Sequence, residues 1–521
     1  MKRQYKYITL IFALCIICNA CYKDQSTLAN MNIPDIVVDT TNIPENLIIG
    51  FLDPFTISPK ITENGVDAGS LDLLYEWRIN ILPGKALPDT ILSTERVFNG
   101  FISNPISSNP YYLSLRVTDP KTGIIKFCSW NITVVSSFLD GLLVSDSKDG
   151  NTSDFTLIMD KNLTNNWSGE GKIIRNILES SDQGAYNGLL DRLYYYRYVS
   201  SVNYMFAFDR NNRMVRFATL DFTMEDMNKL FVYFPPNLSA YSVCKPNQEL
   251  FLITSEGVTI ANPSTNLQFT GAMNIPLTAS TINNNVVAVD SWANHGVPAA
   301  IWYDKPQGCF YWFYFTMFSP YFSPFPDNPS EPFNAGVYKG KTALAGGLTY
   351  DANTLAMLMK DDQTGNYEIC TFYKDPGGGF NPGAQSLITI PAAGKTILDN
   401  AIGYVFAQKQ PVLYVIESGG IYAITFGVNP ANVATEAKFT APAGEQIVLA
   451  RLFEQGRYKH DPSEFQLPLN TNALIAATSS ATGGKVYVIP MINLGTGNLD
   501  ANNKLVYDGF GQILDVLNLG Y

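Results

Sequence analysis

"VLYVIESGGIYAI", residues 412–424, is an oily strand, a polar turn with two glycines, and a second oily strand. Short apolar runs bounded by Gly and Ser read as a β-hairpin. Six other stretches have the same form: "GLLVSDSKDGNTSDFTLI" from 141, "YMFAFDRNNRMVRFA" from 204, "ELFLITSEGVTIA" from 249, "AIWYDKPQGCFYWFYF" from 300, "LAMLMKDDQTGNYEICTFY" from 355 and "ALIAATSSATGGKVYVI" from 473. The shortest interval between starts, 204 to 249, is 45 residues, and the longest, 141 to 204, is 63. Propeller blades repeat at roughly 40–50 residues, so seven such units with some loops extended predict a β-propeller of about seven blades over residues 137–521. A large β-sandwich is the alternative architecture, and six or eight blades are the neighbouring counts. The segment "LVYDGFGQILDVLNLGY", 505–521, is expected to supply a closing strand, because a ring must join its first and last blades to bury their edges. Helical signals are few. The best is "TMEDMNKLF", 223–231, with a Thr cap and early acids.

Outward from this region, residues 45–136 carry their own strand pattern. In "LLYEWRIN", Leu73, Tyr75, Trp77 and Ile79 alternate with Glu76 and Arg78, the period-2 signature of a half-buried strand. In "YYLSLRVTDPKTG", Tyr111, Leu113, Leu115 and Val117 face one way before a turn, and "IIKFCSWNITVV" returns. These are the strands of a small Ig-like β-sandwich. The whole chain is therefore read as all-β. Residues 21–44 are polar, lack helical periodicity and read as a tether.

The N-terminus carries an address. Lys2, Arg3 and Lys6 precede the run Ile8–Ile17, which is too short to span a bilayer, and small residues follow: a signal peptide over residues 1–20. Cys18, Asn19, Ala20 and Cys21 resemble a bacterial lipobox, in which a peptidase cuts before a cysteine that then carries acyl chains. Ala20 fits the position before the cut, while Cys18 and Asn19 depart from the usual Leu and Ser/Ala. Cys21 is thus the expected lipidation site, and its acyl chains would anchor the protein to a membrane without crossing it. An ordinary secretory signal is the alternative.

The hairpin "YYLSLRVTDPKTG" resembles the Tyr-x-Leu-x-Leu-x-Val-x-Asp-x-x-x-Gly hairpin of PKD domains, and "YEW" at 75–77 resembles their central tryptophan strand. The usual Trp-Asp-Phe-Gly-Asp-Gly stretch is absent. The PKD-like surface lipoproteins of Bacteroidota share that departure and also begin with a lipidated cysteine followed by Tyr and an acidic residue. The resemblance implies a non-enzymatic lipoprotein of the outer membrane, facing the cell surface or the periplasm. It further implies a binding or accessory component of a SusC/SusD-like nutrient uptake system, with a glycan or peptide as possible ligand. A propeller hydrolase acting on glycans or peptides, and an adhesion protein, are the alternatives.

Composition narrows the chemistry. The formal net charge of −11 becomes −14 once Lys2, Arg3 and Lys6 leave with the signal, which argues against a nucleic-acid partner. The chain holds 2 histidines, His295 and His460, so neither a histidine-rich metal site nor a Ser-His-Asp set is expected, and no cofactor is implied. The best carboxylate cluster, Asp146, Asp149, Asn151 and Asp154 in "DSKDGNTSD", has Lys148 where a calcium loop wants an acid and reads as a solvated hairpin turn. "KDDQTGN" at 360–366 reads the same way. No two of Cys128, Cys244, Cys309 and Cys370 have C-x-x-C spacing, and they read as buried free thiols. The distinctive feature is aromatic: Phe, Trp and Tyr make up 13% of the chain. In "FSPYFSPFPDNP" the prolines predict a stiffened loop presenting Phe318, Tyr321, Phe322 and Phe325 for ligand or partner contact. A loop folded back as a plug on the propeller is the competing expectation.

Overall fold

The computed structural model describes residues 33–138, 141–164, 167, 170–181, 183–197, 203–233, 239–244, 250–255, 257–261, 268–269, 287–289, 300–315, 320–350, 354–373, 383–455 and 467–519. Cys21, Phe318, His295 and His460 lie outside them. The chain divides into two compact units: one runs through Ile49 and resumes over Asp53–Val135, and the other comprises Gly50–Leu52 and Ser136 onward.

The first unit is built on a five-stranded sheet whose four strands from Ile125–Val135 to Asp89–Ser93 pair antiparallel. Its strand Tyr111–Thr118 lies between Leu74–Asn80 and Ile125–Val135, and strict alternation puts Tyr111, Leu113, Leu115 and Val117 inside. Trp77 stacks on Trp130 with ring centroids 5.6 Å apart and donates its Nε1–H to Glu95 O at 2.9 Å. The turn works through Asp119. Its carboxylate accepts from Lys121 N at 2.9 Å and from Thr122 Oγ1, and Gly123 takes a φ of +73°, where a side chain would be strained. The expected tether ends early. Ile36–Asp39 is a strand paired antiparallel with Lys60–Glu63, because Ile36 finds an apolar site that leaves it 4% exposed.

The second unit is a β-propeller of seven sheets. Blade I joins Leu142–Ser147, Thr152–Met159 and Lys172–Ile174 to the chain's last strand, Gln512–Asn518; Tyr186–Asn187 also pairs with Thr152–Met159. Blade II comprises Leu190–Arg197, Asn203–Asp209, Met214–Ala218 and Met224–Asp226. Blade III holds Ala240–Cys244, Leu250–Thr254 and Gly257–Ala261 among the described residues. Blade IV is Val287–Val289, Ala300–Asp304, Cys309–Phe315 and Pro320–Pro324. Blade V is Lys341–Thr349, Thr354–Asp361, Tyr367–Tyr373 and Ala384–Thr389. Blade VI starts with Gly403–Phe406, Val412–Glu417 and Gly420–Thr425, and blade VII with Gln446–Leu452, Ala473–Ser480 and Gly483–Ile492. Six of the seven hairpins read from the sequence form the two middle strands of one blade; in blade III, Leu250–Thr254 is the middle strand and Gly257–Ala261 the edge strand among the described residues.

Those middle strands are oily on both faces because each blade is sandwiched between two others. Leu142, Val144, Ile475 and Val488 form one core between blades VII and I, and Tyr414, Ile416, Leu474 and Tyr487 form another between VI and VII. First strands of neighbouring blades lie against one another around the axis, as Lys341–Thr349 does against Gly403–Phe406. In blades I, II, III, V and VII the innermost strand, which in blade I is Gln512–Asn518, carries one extra residue against its partner: Leu514, Asp191, Tyr241, Leu344 and Val448. Such bulges sharpen the twist that the ring needs.

The seam lies in blade I. The segment 505–521 splits: Leu505–Phe510 pairs with Gly483–Ile492 as an outer strand of blade VII, and Gln512–Asn518 crosses to pair with Leu142–Ser147. Asp515, 1% exposed, takes the Arg451 guanidinium of blade VII at 2.6 Å and Leu193 N of blade II at 2.6 Å on the same oxygen. Arg451 also donates to Leu193 O at 3.2 Å. One carboxylate thus ties three consecutive blades across the closure.

Two expectations are corrected. "TMEDMNKLF" is not an α-helix: Met224–Asp226 is the outer strand of blade II, held through the Arg216–Glu225 ion pair at 2.5 Å, and only Met227–Lys229 turns, as a 3₁₀ helix. Blade stacking overrides a weak helical propensity. Nor is "FSPYFSPFPDNP" wholly a loop. Pro320–Pro324 is the outer strand of blade IV, paired with Cys309–Phe315. Proline is tolerated on an edge strand, whose outward side makes no ladder bonds. Phe325, just beyond it, is buried at 3% exposure against Phe310 and Phe372, with centroids at 6.4 and 5.3 Å.

Two outcomes are expected. Burial pushes the Asp515 carboxyl up to about 6, against the pull of Arg451 and the N–H groups of Leu193 and Val516. A carboxyl raised above its unfolded value of 3.8 binds its proton more tightly when folded, so its contribution to stability is complete below about pH 4 and declines as pH rises towards 6. Denaturant titrations from pH 4 to 6 should show the wild type losing stability relative to Asp515→Asn by up to about 1.4 kcal/mol per pH unit. Phe325→Ala should cost about 3 kcal/mol, read as a fall in melting temperature, because it strips a packed aromatic from between blades IV and V.

Candidate functional site

Blades I and II part at their outer strands to leave a cleft of about 220 Å³. Its floor is apolar: Leu178 and Phe217 are buried, and Met224 adds a flexible thioether. Tyr186 forms a wall. Its hydroxyl bonds the Asp209 carboxylate at 3.2 Å, and burial first, then Asp209, pushes its pKa up to about 12. The Asp209 carboxylate is committed to the turn of blade II, accepting from Asn211 N at 2.8 Å and Arg213 N at 2.9 Å.

One wall is fastened by an amide. Gln183 donates to Phe222 O at 3.0 Å and accepts from Met224 N at 2.7 Å, stitching the loop after the short helix Ile177–Ser180 to blade II. The mouth carries opposite charges: Arg213 and Asp226 stand 3.9 Å apart, with side chains 65% and 56% exposed. A few polar groups over an apolar floor form a binding arrangement.

The acids that the fold perturbs upward are held by backbone. Asp146, raised by burial, accepts from Gly511 N at 2.7 Å. Asp154, also raised by burial, accepts from Phe155 N, Leu178 N and Glu179 N at 2.6, 2.7 and 2.9 Å and so fixes the short helix beside the cleft. Asp149 caps its own turn: it accepts from Asn151 N and Thr152 N, both at 2.8 Å, and these bonds bring its carboxyl down to about 2. "DSKDGNTSD" is therefore a hairpin turn, and no group of three or more His, Cys, Asp or Glu able to hold a metal occurs among the described residues. In "KDDQTGN", Asp361 accepts from Gln363 N and Thr364 N at 3.0 and 2.7 Å, the same turn chemistry. Cys128, Cys309 and Cys370 are free thiols, the last two buried.

Of the aromatic residues singled out in the sequence, Phe325 does not line the cleft, and Phe318 lies outside the described residues. Tyr321 and Phe322 lie on the outer strand of blade IV, opposite Tyr314 and Phe313, and Phe325 is core. Phe325 is corrected as a contact residue because its ring is already covered by the protein's own aromatics. Arg213 and Asp226 escaped notice. They sit in "DRNNRM" and "TMEDM", stretches that read as an ordinary turn and a helix start, and only the stacking of two blades brings them to Tyr186.

No family model and no curated protein matches the chain. Solved structures resemble it at low identity. A quinoprotein alcohol dehydrogenase-like protein from Bacteroides thetaiotaomicron is 13% identical, with 94% of this chain and 96% of that one covered and a TM-score of 0.43. Apo AztD from Citrobacter koseri is 9% identical over 86% of this chain and 98% of that one, with a TM-score of 0.36. A structural genomics protein of unknown function from Bacteroides thetaiotaomicron is 11% identical over 85% and 94%, with a TM-score of 0.28.

Proposed function

We propose that this protein is a lipid-anchored binding protein of the bacterial outer membrane. In this reading it serves as a surface or accessory component of a SusC/SusD-like nutrient uptake system, and the cleft between blades I and II takes the ligand. One observation carries the preference for binding over hydrolysis. Raised carboxyls are where acid–base chemistry is expected, and Asp146, Asp154 and Asp515 are each bonded to backbone N–H groups that hold chain segments together. The cleft, by contrast, joins an apolar floor to a charged mouth. The anchor rests on the basic start, the short apolar run and the Ala20–Cys21 junction.

Two measurements test the reading. Cys21→Ala should move the protein from the membrane fraction to the soluble periplasmic fraction; unchanged retention defeats the lipid anchor. A glycan and peptide array scored for capture and for cleavage should give capture alone, and turnover of any arrayed compound would install the hydrolase instead.

A further inference from the structure

We propose that the cleft between blades I and II is a site for a zwitterionic α-amino acid with an apolar side chain. The ligand's ammonium would meet Asp226, its carboxylate Arg213, and its side chain the floor of Leu178, Phe217 and Met224. This rests on reading the cleft as the ligand site of a binding protein.

The argument begins with the charged pair. At 3.9 Å, Arg213 and Asp226 are farther apart than the 2.7–2.9 Å of a closed charge-assisted hydrogen bond, so each keeps bonding capacity towards solvent. A lone cation would be repelled by Arg213 and a lone anion by Asp226. A molecule carrying both charges on groups bonded to one carbon satisfies the two at once, as two ion pairs lying side by side. Both charges act on the Tyr186 hydroxyl, Arg213 lowering and Asp226 raising its pKa, so both reach the wall of the cleft.

Size and floor narrow the class. A volume of about 220 Å³ lies below the roughly 300–1,000 Å³ of sites for drug-sized ligands, so it suits one small molecule. A free sugar presents hydroxyls on every side and would set some against Leu178 and Phe217, where they find no partner. An aliphatic or aromatic side chain meets no such conflict. The other nearby acid, Asp209, does not compete for the ammonium, because its oxygens serve Tyr186, Asn211 and Arg213 N. Exposed ion pairs contribute little, and most of the affinity comes from the floor, which places the dissociation constant at about 1 mM.

The test is calorimetric titration of the full chain in detergent with L-leucine, leucinamide, isocaproate, glycine and glucose. L-leucine should bind saturably at about millimolar strength. Leucinamide, which lacks the carboxylate, and isocaproate, which lacks the ammonium, should each be weaker by about fivefold, and glycine, which lacks the side chain, by about thirtyfold or more. Arg213→Gln and Asp226→Asn, both at exposed positions, should each weaken L-leucine about fivefold or more while leaving the melting temperature unchanged. No saturable L-leucine binding, equal binding of leucinamide, preference for glucose, or affinity untouched by either substitution would overturn the assignment. An arrayed ligand captured equally by the wild type and Arg213→Gln would sink the amino-acid site yet leave the binding-protein reading standing. Cleavage on the array would sink that reading whatever L-leucine does.

Discussion

The Asp515 carboxylate is the point on which the ring depends. A seven-bladed ring has one discontinuity, and here the last strand crosses it to lie beside Leu142–Ser147. Backbone pairing and the packing of Ile513 and Val516 against Leu142 and Val144 join Gln512–Asn518 to blade I. Asp515 adds the neighbours on either side, taking Arg451 from blade VII and Leu193 N from blade II. The bulge at Leu514 comes directly before it, where the strand twists as it enters the seam. Burying that carboxylate is costly, as its raised pKa records. A buried ion pair is weak evidence for stability but good evidence for a fixed register. Its consequence is geometric: blades I and II are held at a set spacing, and the cleft between them inherits that spacing.

Blades II, IV and V share a second device, the aspartate at the end of the second strand. Asp304 accepts from Gln307 N at 3.1 Å, with Gly308 at a φ of +68°; Asp361 accepts from Thr364 N at 2.7 Å, with Gly365 at +67°. Asp209 does the same in blade II with Asn212 at +59°. A short acid that bonds two or three residues ahead, followed by a residue tolerant of positive φ, closes a tight turn and fixes register between oily strands. The turn in the first unit, Asp119 to Gly123, uses the same chemistry on another architecture.

This explains what was legible. The middle hairpins announce themselves because both their faces are buried and their turns are chemically stereotyped, and they gave the blade count. The flanking strands do not. Val287–Val289 and Met224–Asp226 are three residues each, too short for periodicity, and Met224–Asp226 carries acids that mimic a helix start. Pro320–Pro324 hides behind prolines that only an outermost strand tolerates. The candidate site was less legible still. Tyr186, Arg213 and Asp226 belong to two blades, and nothing in their local sequences reports that a neighbouring sheet will stack against them. Aromatic density pointed instead to Phe325, whose ring is core.

A propeller that seals its ring with the strand Gln512–Asn518 gives two blades a fixed separation and leaves a cleft between them. The most direct test is a chain ending at Gly511, which keeps the blade VII pairing of Leu505–Phe510 and removes the crossing strand. Hydrogen exchange on this chain and the full one should show protection lost in Leu142–Ser147 and Leu190–Arg197, with a lower melting temperature, since an opened ring exposes a strand edge and unties Arg451. Equal protection and equal melting in the two chains would contradict closure by Gln512–Asn518.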